Sequence, residues 1–316
     1  MNLRLSPGPH IHTSHDTQDI MRNVLIALVP CVAAAVYLYG LNAALLIAIS
    51  TVTCVASEYA WQRLMKKPVR IGDLSAAVTG VILGLNLPSN APFWTPIVGG
   101  IFAIILVKQL FGGIGHNFLN PAITARAVLL VSWPAIMTSY VLPCRTFFTS
   151  APFSVDAVTS ATPLAAGIGG NTGWTTLDLF LGNIPGTMGE TCKVAILLGF
   201  LILLATGVIK WHIPVFFVGT VALFSWIFGY DPLVSILSGG VMFGAVFMAT
   251  DYVTNPMLVK GRIIYAIGCG LIVTLIRCFA DYPEGVTFAI MMMNVCTPLI
   301  DRVTKRRIYG EVKKNG

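Results

Sequence analysis

Asp156, Thr159, Ser160 and Thr162 fall within the stretch VDAVTSATPLAAG (155–167), a polar, threonine-rich segment between long apolar runs. A residue that precedes proline is pushed out of the α region towards extended conformations. Thr162, directly before Pro163, is therefore expected to present its hydroxyl sideways, with only Ser160 and Ala161 beside it. Such a hydroxyl is open to a modifying enzyme, and an alcohol can carry a phosphodiester. Ser/Thr-rich segments also form ordinary turns, so composition alone leaves a plain loop open.

Other residues with chemical potential are fewer. Asn117 and Asn120 stand three apart in GHNFLNPA, where Asn120 before Pro121 also reads as a helix cap. His10, His12 and His15 lack Cys or carboxylate partners, and the seven cysteines show no metal-ligand spacing. No metal site and no catalytic residue set is expected. Cys144 and Cys192 flank the polar stretch, and whether they pair stays open. Asp251 lies in a break of an apolar run and reads either as a cap or as a group that neutralises a coupling ion. A Gly-rich dinucleotide fold and a phosphate loop are both missing, so direct reaction with NAD or ferredoxin is assigned to partners.

The elements that must position these residues are membrane helices. Hydrophobic residues make up 56% of the 316 and charged residues 10%, with a mean hydropathy of +0.80. A soluble core-and-shell fold would not need that balance. Apolar segments able to cross about 30 Å of hydrocarbon are read near 21–39, 41–60, 73–88, 94–111, 121–138, 191–209, 212–229, 232–250, 262–280 and 284–300. The third and fifth are short and rich in Gly, Asn and Pro, and some are expected to be broken helices. The fold class is all-α: a polytopic membrane protein of about ten transmembrane helices.

Charge sets the expected orientation. Of the 20 Lys and Arg, Arg277 falls inside the ninth span and only Arg145 and Lys193 reach one side, which leaves 17 for the other. The positive-inside rule then puts both termini in the cytoplasm and the 139–190 loop outside. The net charge of +7 thus reflects topology, and no nucleic acid is expected. The organisation is a cytoplasmic tail (1–20), a first five-helix half (21–138), the outer loop (139–190), a second five-helix half (191–300) and a basic cytoplasmic tail (301–316). GVILGLNLPSNAPFW (80–94) and GAVFMATDYVTNPML (244–258) put small residues, a polar break and proline at matching places in the halves. That pattern points to two inverted five-helix repeats around a buried polar site.

The spacing Asp156-x-x-Thr159-x-Ala161-Thr162 resembles the acceptor sequence of bacterial flavin transferases, in which the last threonine oxygen is esterified to the phosphate of FMN. SPGPHIHTSHDTQDIMRNVLIALVP (6–30), GGIGHNFLNPAITARAVLLVSWP (112–134), GGVMFGAVFMATDYVTNP (239–256) and EGVTFAIMMMNVCTPLIDR (284–302) are similar to the RnfD/NqrB family, and the short N-terminal part favours its Rnf branch. The resemblance implies a subunit of a bacterial inner-membrane complex that couples electron transfer between ferredoxin and NAD to Na⁺ or H⁺ movement. It implies covalent FMN on Thr162, with Asp156, Thr159 and Ser160 as recognition or positioning residues. It implies a noncovalent riboflavin in the membrane, for which Asn117 and Asn120 are the candidates, taken as two positions on one helix face. The implied partners are the flavoprotein RnfG, the NAD-side protein RnfC, the membrane proteins RnfA and RnfE, the iron–sulfur protein RnfB, a flavin transferase and the lipid bilayer. The competing reading is a solute channel or transporter of inverted-repeat fold with no redox role, and a third is a docking scaffold. Both leave the Asp156-to-Thr162 spacing without a purpose.

Overall fold

The computed structural model describes residues 16–143, 174–280 and 284–305. Asp156, Thr159, Ser160 and Thr162 lie outside the described residues, as do the three N-terminal histidines and Cys144. All the regular elements described are helices. In lipid every backbone N–H and C=O must be satisfied within its own segment, and a helix does this over a long apolar run.

The first series is α1 (Thr17–Tyr39), α2 (Leu41–Leu64), α3 (Ser75–Leu85), α4 (Trp94–Ile101) and α5 (Pro121–Ser132), followed by the short α6 (Pro134–Met137). Gly40 alone joins α1 to α2, with φ at 73°, a backbone setting that glycine adopts without strain. α4 continues as a π-wound turn over Phe102–Gln109. After α7 (Thr176–Leu181) the second series is α8 (Lys193–Ala205), α9 (His212–Ile227), α10 (Pro232–Leu237), α11 (Val241–Phe243), α12 (Val259–Phe279) and α13 (Val286–Thr304). α11 runs on into a π-wound turn over Gly244–Met248.

Four of these helices, α1, α2, α12 and α13, are long and apolar enough to cross a membrane. The expected third span is α3, 11 residues long, or about 16 Å at 1.5 Å per residue. The chain turns back at Asn86, well short of a full crossing. The expected eighth span is in two pieces, α10 and α11 with its π turn, divided at Ser238–Gly240. The fifth is cut at Trp133, before Pro134.

Helix pairing follows the two series. α2 packs on α3 and α4, and α9 packs on α12; α1 meets α8, and α5 meets α13. First helix on first and last on last is the pairing that two related halves facing each other would make. Small residues bring the backbones together. A Cβ on Gly80 of α3 would stand 2.5 Å from Thr51 Cα of α2, and one on Gly270 of α12 would stand 2.6 Å from Thr220 Cβ of α9.

Candidate functional site: a polar cavity between broken helices

Broken helices leave carbonyls without partners inside the bundle, and each break borrows a donor from a distant part of the chain. The end of α3 receives Gly189 N–H on the Leu85 carbonyl at 2.7 Å and Met188 N–H on Leu87 at 3.2 Å. The end of the π turn receives the Asn120 amide, whose Nδ2 donates to the Met248 carbonyl at 3.3 Å. The same Asn120 caps α5, with Oδ1 accepting from Ala122 N–H at 3.0 Å. Pro121 in the first turn costs nothing there, because its missing N–H would have had no helical partner.

Beside the second of these breaks, and at the opposite end of α3 from the first, lies a cavity lined by the start of α1, the first two turns of α3, the segment before α5 and the loop after the π turn. The cavity volume is about 100 Å³, and the whole non-atom space of the cleft, open solvent included, is about 810 Å³. The walls are mainly apolar, including Val24, Val78, Ile82, Leu203 and Phe247. The polar groups are Ser75, Thr79, Lys108, Asn117, Asn120, Thr250 and Asp251. Both sequence candidates for a flavin contact therefore face one space. They are not on a helix face, however: the chain from 117 to 120 is a bend that precedes α5. Asn117 Nδ2 donates to the Leu119 carbonyl at 3.0 Å. Asn120 is engaged at both ends of its amide, which makes it a builder of the wall.

Lys108 is the feature that the sequence did not expose. It is 3% exposed, and its ammonium lies 2.8 Å from Glu58 Oε1, with Glu58 1% exposed. Lys108 also donates to Ser75 Oγ at 2.6 Å, and Gln109 Nε2 donates to Glu58 Oε1 at 2.6 Å. Every atom of the pair that needs a partner has one, the condition under which a buried ion pair is tolerated. Lys108 lines the cavity and Glu58 does not, while the Lys108 ammonium is held by Glu58 and Ser75. The available signal was a lone lysine in IFAIILVKQLF and a lone glutamate in VASEYAW. Asp251 also lines the cavity, and its carboxylate accepts from Thr254 Oγ1 at 3.2 Å.

The cavity is thus a mainly apolar slot whose lining includes one lysine, one aspartate and two asparagines. Such a slot suits a flat, mostly apolar ligand with a polar edge. The NQR2, RnfD, RnfE family model matches residues 4–310. The chain belongs to that family. Three members show how far the likeness runs. It is 51% identical over 317 residues to the D subunit of the "Na(+)-translocating ferredoxin:NAD(+) oxidoreductase complex" of Acetobacterium woodii, covering 99% of this chain and 97% of the relative. It is 38% identical over 325 residues to the D subunit of the "Proton-translocating ferredoxin:NAD(+) oxidoreductase complex" of Clostridium ljungdahlii, covering 97% and 96%. It is 38% identical over 349 residues to the D subunit of the "Ion-translocating oxidoreductase complex" of Cronobacter sakazakii, covering 98% and 99%. Membership in the NQR2, RnfD, RnfE family agrees with the resemblance carried by the four stretches quoted above.

Proposed function

We propose that this chain is the membrane electron-carrying subunit of an Rnf-type ferredoxin:NAD oxidoreductase coupled to Na⁺ or H⁺ translocation. The observation that carries the reading is the acceptor spacing from Asp156 to Thr162 in a chain of this family. Thr162 is the covalent anchor for FMN on the extracytoplasmic side, and Asp156, Thr159 and Ser160 hold the segment for the transferase. A flavin bound there supplies chemistry in steps of one or two electrons.

The polar cavity is the second cofactor site in this reading, and riboflavin is the ligand. A ring system would occupy the cleft. Asn117 Oδ1 would accept from the ring's polar edge, and Lys108 would keep positive charge beside a ligand that gains negative charge on reduction. Val78, Ile82 and Phe247 would exclude water from its faces. An intermediate carrier is needed because a hydrocarbon core of about 30 Å is too wide for one productive electron hop. A solute channel, the competing reading, gives Asp156, Thr159 and Thr162 nothing to do.

The test is flavin fluorescence that stays with the denatured band on a gel, after coexpression with a flavin transferase. The wild-type band should glow and the Thr162→Val band should be dark. Equal fluorescence in both would remove Thr162 as the anchor.

A further inference from the structure

The chain between α8 and α9 and the chain leading into α12 enclose another cavity, of about 260 Å³. Its polar lining is Lys210, Thr250, Tyr252, Asn255 and Arg262, and no carboxylate is among the described residues that line it. The Tyr252 hydroxyl is spent on the Val208 carbonyl. Arg262 spends only Nε, which donates to the Pro256 carbonyl at 3.0 Å. Its two Nη groups and the Lys210 ammonium have no hydrogen-bond or ion-pair partner among the described residues. Asp301 of α13 accepts from Met257 N–H at 3.2 Å and does not line the cavity.

Two cations with donors to spare and no anion between them are a site for a phosphate group. A guanidinium offers paired N–H groups to two oxygens of one phosphate, and an ammonium adds a point charge. Ile213 and Val259, in the first turns of α9 and α12, also line the cavity, and neither helix start is capped by a side chain. The positive ends of both helices therefore add to the two side chains.

The surroundings tell a lipid phosphate from a free one. Trp211, Val215, Met257, Val259 and Ile264 are all exposed apolar side chains within a few positions of Lys210 or Arg262. α12 is long and apolar enough to cross a membrane, and tryptophan is enriched at the membrane boundary. Charge counting puts Lys210 and Arg262 on the cytoplasmic side, where anionic headgroups attract basic residues. A free ion gains nothing from the apolar rim, whereas acyl chains can lie along it.

We propose that this cavity binds the phosphate of an anionic phospholipid headgroup between Lys210 and Arg262, with the acyl chains against the exposed faces of α9 and α12. The headgroup ties the turn before α9 to the start of α12. Val208, Ile209, Thr250 and Tyr252 line this cavity and the first one alike, so the lipid braces a wall common to both. The site does not rest on the electron-carrier reading.

The test reconstitutes the purified full chain in phosphatidylcholine bilayers with a minor share of phosphatidylglycerol, with bromine on the acyl chains of one lipid or the other. Bromine quenches nearby tryptophan, and subtracting the Trp211→Phe signal isolates Trp211. Brominated phosphatidylglycerol should quench Trp211 as if enriched roughly fivefold over its bulk share. Lys210→Gln with Arg262→Gln should return quenching to the bulk share. The charge-exchanged pair Lys210→Arg with Arg262→Lys should keep the enrichment, and so should Arg63→Gln with Lys66→Gln, two exposed cations elsewhere on the same side. The proposal falls if the wild type shows no enrichment, if the Gln pair at 210 and 262 keeps it, or if either of the other pairs loses it. It falls equally if inorganic phosphate abolishes the enrichment where chloride of the same ionic strength does not, which would make the ligand a free phosphate.

Discussion

The Asn120 amide and the Met248 carbonyl, 128 positions apart in the chain, meet at 3.3 Å. One side chain thereby caps the last helix of the first series and closes the broken helix of the second. Asn120→Ala removes both services. Loss of the cap should cost about 1 kcal/mol, and the stranded carbonyl about 1–3 kcal/mol more. Asn120→Asp keeps the cap and loses the donor, so it should fall between wild type and alanine. Thermal unfolding midpoints in detergent would rank the three.

The Glu58–Lys108 pair gives a sharper expectation, because both partners are buried. Lys108→Met alone leaves an uncompensated carboxylate and should destabilise by about 3–5 kcal/mol. Combining it with Glu58→Gln should return a large part of that loss. A double-mutant cycle on denaturation midpoints measures the coupling; simple additivity would argue against a direct pair.

What the sequence exposed and what it hid follow from range. The end of α1 at Gly40, the start of α5 at Asn120-Pro121 and the breaks near Asn86 and Met248 are local events, each written in a glycine, a proline or a polar interruption. The split of the expected eighth span at Ser238–Gly240 was also written locally, in the pair Gly239-Gly240, but the apolar residues on both sides masked it. Lys108 and Glu58 are 50 positions apart, and each sits near the end of its own apolar run. Only the packing of α2 on the π-wound end of α4 brings them together. The same holds for Arg126: charge counting assigned it to the cytoplasmic side, yet its guanidinium is buried against Asn86 and Glu284. The Asp156-to-Thr162 spacing lies outside the described residues.

Close helix contact through glycine should be intolerant of a single methyl. A Cβ at position 80 would be 2.5 Å from Thr51 Cα, a backbone atom that cannot step aside alone. Gly80→Ala should lower stability by about 1–3 kcal/mol through overpacking. A midpoint within error of wild type would show that α2 and α3 can part without loss.

Topology can be read across one helix. Lys210 and Asp231 are exposed and bracket α9. Single cysteines at these positions in an otherwise cysteine-free chain should react with an impermeant reagent from opposite sides, position 231 from outside intact cells. Labelling of both from outside would overturn the proposed orientation and with it the outer placement of the 139–190 loop.

Asn117 makes one side-chain hydrogen bond where Asn120 is engaged at both ends of its amide, so it is the better placed of the two to meet a ligand. Asn117→Leu should leave the covalent flavin on Thr162 in place, while the noncovalent flavin recovered from the acid-precipitated complex should fall at least tenfold. Equal recovery from wild type and variant would move the second cofactor out of this cavity.

The most direct measurement on the central claim is the intact mass of the chain purified from cells that contain the flavin transferase, followed by fragmentation of the peptide that spans 146–193. The account predicts an increment equal to one FMN less one water, placed by fragmentation on Thr162 and absent from Thr162→Val. An unmodified mass, or an increment on any other residue, would contradict it.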